Sequence, residues 1–166
     1  MGDLPDDDPF SGLLAAHADF VDKLTELEAT LDEMMATTEA REENLVILDE
    51  SLRFFDDELA PLLRAEDETL LPRLEATIGR YGTLVSVISS EHDEIRRSVE
   101  KLRQARGDLE RQPNSWAVIQ EVNRHGIFLV QFVWDHFRKE RVSLLPTARE
   151  RLSSSDLAAI RKRFTQ

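Results

Sequence analysis

The 166-residue chain contains no cysteine, only six glycines and a single tyrosine, and none of its apolar runs is long. The lack of cysteine excludes disulfides, zinc-finger sites and a thiol nucleophile, and is typical of proteins in a reducing cytoplasm. No stretch approaches the roughly 18 apolar residues of a membrane helix, and no basic-then-apolar signal peptide opens the chain. We therefore expect a cytoplasmic protein that does not enter a membrane.

Positive charge is scarce relative to negative charge. The chain has 33 acidic and 21 basic residues, which gives a net charge of −12. Such a chain is unsuited to binding nucleic acid or anionic membranes through its general surface. With 33% charged and 41% hydrophobic residues, its composition is that of a folded protein and its length that of one domain. We expect residues 1–8 to form a flexible acidic N-terminus and residues 9–166 to form the domain.

Four long segments carry apolar residues spaced three and four apart, the pattern of helices with one buried face. Their connections are short, and a short amphipathic segment follows the serines at 153–155. These features predict an all-α fold, an up-down-up-down four-helix bundle with a short C-terminal helix. The predicted long helices are residues 9–37, 41–72, 83–109 and 116–145.

Three prolines bear on the bounds of these helices. Pro61 falls inside the apolar pattern of the second helix, where it removes a hydrogen bond and clashes with the carbonyl four residues back. We expect a kink there. Pro72 and Pro146 are expected to end the second and fourth helices, because a proline pushes the preceding residue out of helical geometry.

The fourth predicted helix places a histidine and a carboxylate on its apolar face. His136 and Glu140 are four residues apart, so they point the same way. A carboxylate on a buried face costs several kcal/mol unless its charge is compensated, and a metal ion can compensate it when an imidazole lies one turn away. By itself the pair is weak evidence for a metal site, because this spacing is common. The apolar residues of this face are Val122, Leu129, Val133, Phe137 and Leu144.

The sequence around Glu140 occurs twice. At an offset of 74 residues, Glu66 matches Glu140 and Leu62 takes the position of His136. Each copy also follows a predicted helix with one histidine on its apolar face: His17 precedes Glu66 by 49 residues, and His92 precedes Glu140 by 48. The further matches are Arg64 with Arg138 and the Leu-Leu-Pro of 70–72 with that of 144–146.

Five residues of this pattern come from the apolar faces of all four long helices. An antiparallel bundle can bring them to one level, where the two carboxylates would repel each other without a cation between them. Imidazole nitrogens and carboxylate oxygens together suit iron, manganese or zinc. Each residue alone could be a hydrogen-bonded core residue, but the set favours a metal site. The five are His17, Glu66, His92, His136 and Glu140.

The remaining histidine, His125, precedes His136 by eleven residues. On a helix this separation is roughly 16 Å along the axis, too far for the two to share a metal ion. We interpret His125 as a packed or surface residue.

These motifs resemble those of the hemerythrin-like family, also called the HHE cation-binding domain. The family pattern is a lone His on the first helix, His-x-x-x-Glu on the second before a Leu-x-Pro-like stop, a lone His on the third, and His-x-x-x-Glu on the fourth. The resemblance covers about residues 11–149. It implies two iron atoms bridged by two carboxylates and an oxygen species, with roles in O2 binding, iron or oxygen sensing, or the handling of nitric oxide or peroxide. The matching positions are His17, Glu66, His92, His136 and Glu140.

Leu62 departs from the family pattern, which has a histidine at this position. One of the six protein ligands that the resemblance implies is therefore missing. Three outcomes are open: a di-iron site with an extra open position, a single metal at the intact half, or recruitment of another side chain. Glu58, one turn before Leu62, is the nearest candidate for recruitment.

Two classes of function follow. The first is a non-haem metalloprotein, with one or two iron ions or with manganese or zinc, that binds or reacts with O2, peroxide or nitric oxide. The second is a metal-sensing, oxygen-sensing or protein-interaction module with a weakened or lapsed site. The five matching residues favour the first class, and Leu62 favours the second. The sequence indicates no particular partner protein.

Overall fold

The computed structural model describes residues 8–165, which form five helices joined by short connections. The predicted flexible N-terminus lies outside these residues except for Asp8. None of the helices in the described range combines the length and the apolar character needed to cross a bilayer. The helices are α1 (Ser11–Thr37), α2 (residues 42–78), α3 (Leu84–Arg111), α4 (residues 116–151) and α5 (Ser154–Phe164).

The four long helices pack as a bundle. α1 contacts α2 and α4, and α3 contacts α4 and α2. The predicted all-α, up-down-up-down bundle with a short C-terminal helix is confirmed. Two helices begin with a serine N-cap: the Ser115 hydroxyl accepts from the backbone N–H of Val118, and the Ser153 hydroxyl accepts from the backbone N–H of Asp156.

The apolar core is divided into two clusters along the bundle. All four long helices contribute to both, and the half-buried Leu62 packs against both. The first core cluster includes Phe20, Leu27, Leu48, Leu59, Leu63, Ile95, Leu129 and Val133. The second core cluster includes Phe10, Leu13, Leu70, Leu74, Val85, Ile88, Leu144 and Ile160.

The prediction that Pro72 and Pro146 end their helices is wrong, because α2 continues to Ile78 and α4 to Arg151. Each interior proline follows a π-helical turn of five residues. The wider turn moves the carbonyl group that a proline ring would strike in a regular α-helix, so the helix continues past the proline. In these turns the N–H groups of Ala60, Leu71 and Leu145 donate to the carbonyls of Phe55, Glu66 and Glu140, five residues back.

The first π turn, Phe55–Leu59, also changes which leucine of α2 is buried. The match of Leu62 with His136 predicts that Leu62 lies on the core face, but Leu63 is the residue with only 1% of its surface exposed, and Leu62 is half-buried. The extra residue in the turn shifts the helical phase that follows it.

Both ends of the described chain are held near the start of α1. The Asp8 carboxylate accepts from the backbone N–H of Phe10 at 3.0 Å and pairs with Arg149 at 2.7 Å. Helix α1 then begins at Ser11, two residues later than predicted. The end of α5 packs so closely on α1 that a Cβ atom at Gly12 would lie 2.3 Å from the carbonyl oxygen of Phe164. Glycine is therefore required at position 12 for this packing.

Candidate metal centre

The five predicted site residues lie at the boundary between the two core clusters. Along α1, for example, His17 lies between Leu13 of the second cluster and Phe20 of the first. All five side chains are buried although they are polar or charged. The structure thus brings together one residue from each of α1, α2 and α3 and two from α4: His17, Glu66, His92, His136 and Glu140.

Glu140 is the centre of this group. Its Oε1 atom lies 2.9 Å from Nε2 of His136 and 3.6 Å from Nε2 of His92. Its Oε2 atom lies 3.1 Å from Nε2 of His17. The two carboxylate oxygens therefore face different histidines, two on one side and one on the other.

Glu66 completes the group from α2. Its Oε2 atom lies 3.9 Å from Nε2 of His92. Burial and the negative charge of Glu140 raise the pKa of Glu66 well above its ordinary value. Burial by itself would raise the pKa of Glu140 too, but the Glu66 carboxyl and the three histidines lower it well below its ordinary value. In the metal-free chain, the pKa values of the two carboxyls are thus driven apart, and that of Glu66 is the higher.

Two carboxylates outside the group orient two of its histidines through hydrogen bonds to their Nδ1 atoms. Since an ionised carboxylate can only accept, Nδ1–H of His92 donates to Asp67 at 2.6 Å and Nδ1–H of His136 donates to Glu91 at 2.9 Å. Arg96 pairs with Asp67 at 2.5 Å, and Lys139 pairs with Glu91. These contacts fix each ring with Nε2 as its free nitrogen, which is the arrangement that carboxylates impose on metal-binding histidines.

Sequence analysis missed Asp67 and Glu91. The available signal was adjacency, because Asp67 follows Glu66 and Glu91 precedes His92 in the chain. Each carboxylate nevertheless acts on a histidine of the next helix, which adjacency does not identify.

His17 is held differently from the other two histidines. Its ring stacks on that of Phe137, with 4.1 Å between the ring centroids and 16° between the planes. The stacking sets the direction of the ring and leaves Nε2 on the Oε2 side of Glu140.

The donor atoms of this group fit a metal ion. Three Nε2 atoms and four carboxylate oxygens are buried without a hydrogen-bond partner among residues 8–165. Unpaired buried polar atoms are rare because each costs about 1–3 kcal/mol. One donor atom from each of His92, His136 and Glu140 lies within 4.8 Å of the others. Such mixed nitrogen and oxygen donors suit iron, manganese or zinc. The seven unpaired atoms are Nε2 of His17, His92 and His136, and both carboxylate oxygens of Glu66 and Glu140.

Two other predicted positions lie away from the group. His125 contacts Glu121 on its own helix at 3.2 Å, which confirms that it is a packed or surface histidine. Glu58 is exposed and, with Leu62, lines a surface cavity of about 360 Å³. The structure therefore argues against Glu58 as a replacement ligand, because it lies in the π turn that shifts the phase of α2 and its side chain reaches solvent.

The raised pKa of His136 predicts how the stability of the metal-free protein responds to pH. Burial by itself would lower the pKa of His136, but Glu140 and Glu91 raise it from 6.5 to about 9. A group with a raised folded-state pKa stabilises the fold below its unfolded pKa, and this contribution is lost as the pH rises through the folded value. We expect the free energy of unfolding of the metal-free protein, measured with urea, to fall between about pH 7 and about pH 9.5.

The variant His136→Gln should show a smaller fall over this range, whereas His125→Gln, the matched change at the surface histidine, should behave like the parent. The same fall in all three proteins would contradict the assignment of this pH dependence to His136.

A family model described as the hemerythrin HHE cation-binding domain matches residues 8–148. The match includes α1, α2 and α3, most of α4 and all five residues of the buried group. A search of curated proteins gave no significant match.

Proposed function

The chain belongs to the hemerythrin HHE cation-binding family, and from this premise we propose that it binds iron at the buried group and that this iron binds or reacts with O2, peroxide or nitric oxide. The observation that carries the proposal is the set of seven buried donor atoms without hydrogen-bond partners. The proposed ligands are His17, Glu66, His92, His136 and Glu140.

The geometry supports two unequal metal positions. On the Oε1 side of Glu140, His92 and His136 supply two ring nitrogens, and both rings are fixed by carboxylates behind them. On the Oε2 side, His17 supplies one. We propose that the first position binds iron more tightly, because its donors are both more numerous and better oriented.

The chain itself orients the donors and keeps water from them. Asp67 and Glu91 hold proton-bearing Nδ1 atoms, so His92 and His136 present their Nε2 atoms to the centre. The two core clusters enclose the group from both directions along the bundle. Iron bound there would supply a Lewis-acidic, redox-active ion for a diatomic ligand or peroxide, and Leu62 supplies no donor that would compete with such a ligand.

The absence of a metal-binding side chain at position 62 favours the second candidate function, a sensing or interaction module with a weakened site. Measurement of peroxide and O2 consumption by the iron-loaded protein distinguishes the two. Sustained turnover supports the first function, whereas binding without turnover supports the second. Manganese and zinc remain alternatives to iron, and the cytoplasmic location remains a prediction.

The direct test is the metal content of protein purified from iron-supplemented cells, together with its optical spectrum before and after dithionite. We expect iron in the protein and a spectrum that changes on reduction. Protein that contains no iron and does not take it up anaerobically as the ferrous ion would contradict the proposal.

Metal removal should lower the thermal stability. The metal-free chain retains unpaired donors in its core, so an ion that binds only the folded state stabilises it by mass action. At a free iron concentration of 100 times Kd the gain is about 2.7 kcal/mol, which corresponds to roughly 5–10 °C in Tm for a chain of this size. Calorimetry of ferrous-loaded and chelator-treated protein under anaerobic conditions measures the difference.

The variant His92→Gln serves as the control for this measurement and should lose most of the iron-dependent shift. Equal Tm values for loaded and chelated parent protein would contradict a native metal site.

A further inference from the structure

A cavity of about 380 Å³ lies between α1 and α4, and His17 forms part of its wall. The rest of the lining divides into apolar side chains and cations. The apolar residues are Leu14, Ala18, Val21, Trp134, Phe137 and Leu145, and the cations are Arg138, Arg141 and Arg149.

The charge of this cavity is opposite to that of the protein. The chain carries a net charge of −12, yet the described lining contains three arginines and no carboxylate. Arg149 is bound to Asp8. Arg138 and Arg141 have no hydrogen-bond or ion-pair partner within residues 8–165, although both lie on the cavity. In a chain with 33 acidic residues, two unpaired arginines at one cavity leave positive charge available for a ligand.

The cavity also offers apolar surface. Trp134, in its wall, is 45% exposed to solvent, and Phe137 belongs to the same lining. Apolar surface of this kind binds the hydrocarbon part of a ligand because water is released. Its volume falls within the roughly 300–1,000 Å³ that is usual for small-molecule sites.

From this combination we infer that the cavity is a binding site for a small organic acid with an apolar chain or ring. Arginine forks bind a carboxylate through two parallel hydrogen bonds, and the apolar wall receives the hydrocarbon part. The acid would lie against His17 and Phe137, at the outer edge of the metal centre. The inference does not rest on the proposed function, since its anion-binding groups are not proposed metal ligands.

Trp134 provides the readout of binding. The only other tryptophan, Trp116, lies eighteen residues earlier on the same helix, roughly 27 Å along the axis. In a Trp116→Phe background, tryptophan fluorescence therefore reports on the cavity alone. The metal-free full chain is titrated with octanoate, octan-1-ol, octylammonium and inorganic phosphate, with calorimetry as a second measurement, so that the outcome does not depend on iron.

We expect octanoate to bind saturably, with octanol and octylammonium at least about tenfold weaker and phosphate weaker still. Arg138→Gln and Arg141→Gln should each weaken octanoate binding by roughly five- to tenfold, and the double variant by more. Arg64→Gln is the matched control. Arg64 occupies the position equivalent to Arg138 in the first half of the chain, is exposed and lies outside the cavity, so this variant should bind like the parent.

Three results would overturn the inference. Octanol binding as tightly as octanoate would show that the cavity does not recognise charge. Phosphate binding as tightly as octanoate would show that the apolar wall does not contribute. Octanoate binding that is unchanged in the double arginine variant would place the site elsewhere.

Discussion

The variant Glu140→Gln should lose metal binding almost completely, the largest effect expected of any single change in this chain. Glu140 lies within 4 Å of all three site histidines, through different carboxylate oxygens. An amide keeps the shape but removes the negative charge and one oxygen donor. Removal of a residue that only hydrogen-bonds to a metal ligand already lowers metal affinity by about 10–100-fold. Removal of the ligand itself should therefore lower it by more than about 100-fold. Iron content after anaerobic loading and desalting, and competition with a chelator, measure it.

Glu68→Gln is the control for this change. Glu68 follows Glu66 by two residues, is exposed and pairs with Arg163 at 2.9 Å. A surface ion pair of this kind contributes about 0–1 kcal/mol, so this variant should keep both its fold and its iron. The Tm of each metal-free variant must be measured as well, because the charge of Glu140 lies within 4 Å of three buried imidazoles. If both variants bind iron like the parent, Glu140 is not a ligand.

The variant Leu62→His should gain metal binding. Leu62 is half-buried and packs against both core clusters, and one regular α-helical turn separates it from Glu66, whose backbone N–H donates to the carbonyl of Leu62. The change sacrifices at most about 1.5–3 kcal/mol of apolar burial. A sixth donor on the weaker side should outweigh this cost once metal is present, because its binding energy adds to folding. With ferrous iron under anaerobic conditions we expect about two ions per chain, held more tightly than in the parent.

Leu62→Gln separates the effect of the imidazole from that of polarity. Glutamine is a poor iron ligand of similar length, so it should show the loss of stability without the gain in iron. If Leu62→His binds no more iron than Leu62→Gln, the side chain at position 62 does not face the centre, and the equivalence of the two halves fails there.

Helical periodicity was sufficient to predict the bundle and to bring the five polar residues together. His17 and His92, for example, replace apolar residues in otherwise regular buried stripes, so the position of the stripe gives the direction of the side chain. Their role as metal ligands stays a prediction.

The bounds of α2 and α4 could not be predicted from the same rules. Pro72 and Pro146 are helix terminators in a regular α-helix, but a π turn before each removes the clash. The turn at Phe55–Leu59 likewise exchanges Leu62 for Leu63 on the buried face. A single fixed period cannot anticipate such a change of phase.

The carboxylates that orient the site histidines could not be recognised from the sequence. Asp67 and Glu91 are two of 33 acidic residues, and their side chains are partly exposed, so they look like solvated surface charges. Their role depends on which helix lies opposite them, a feature of tertiary structure. The clustering of arginines at the cavity could not be predicted either, because the net charge of a chain does not say where its positive charges lie on the surface.

Pro72 and Pro146 have a consequence for the register of the helices that contain them. A π turn is ordinarily less favourable than an α-helical turn. Without the proline, the backbone hydrogen bonds of each π turn could shift by one residue and convert it into a regular α-helical turn. At Pro72 and Pro146 the tightened form would restore the clash between ring and carbonyl, at a cost of about 3 kcal/mol or more. Slippage by one residue would turn a side chain by about 100°. By excluding the competing register, each proline keeps the preceding glutamate, Glu66 or Glu140, directed at the histidines.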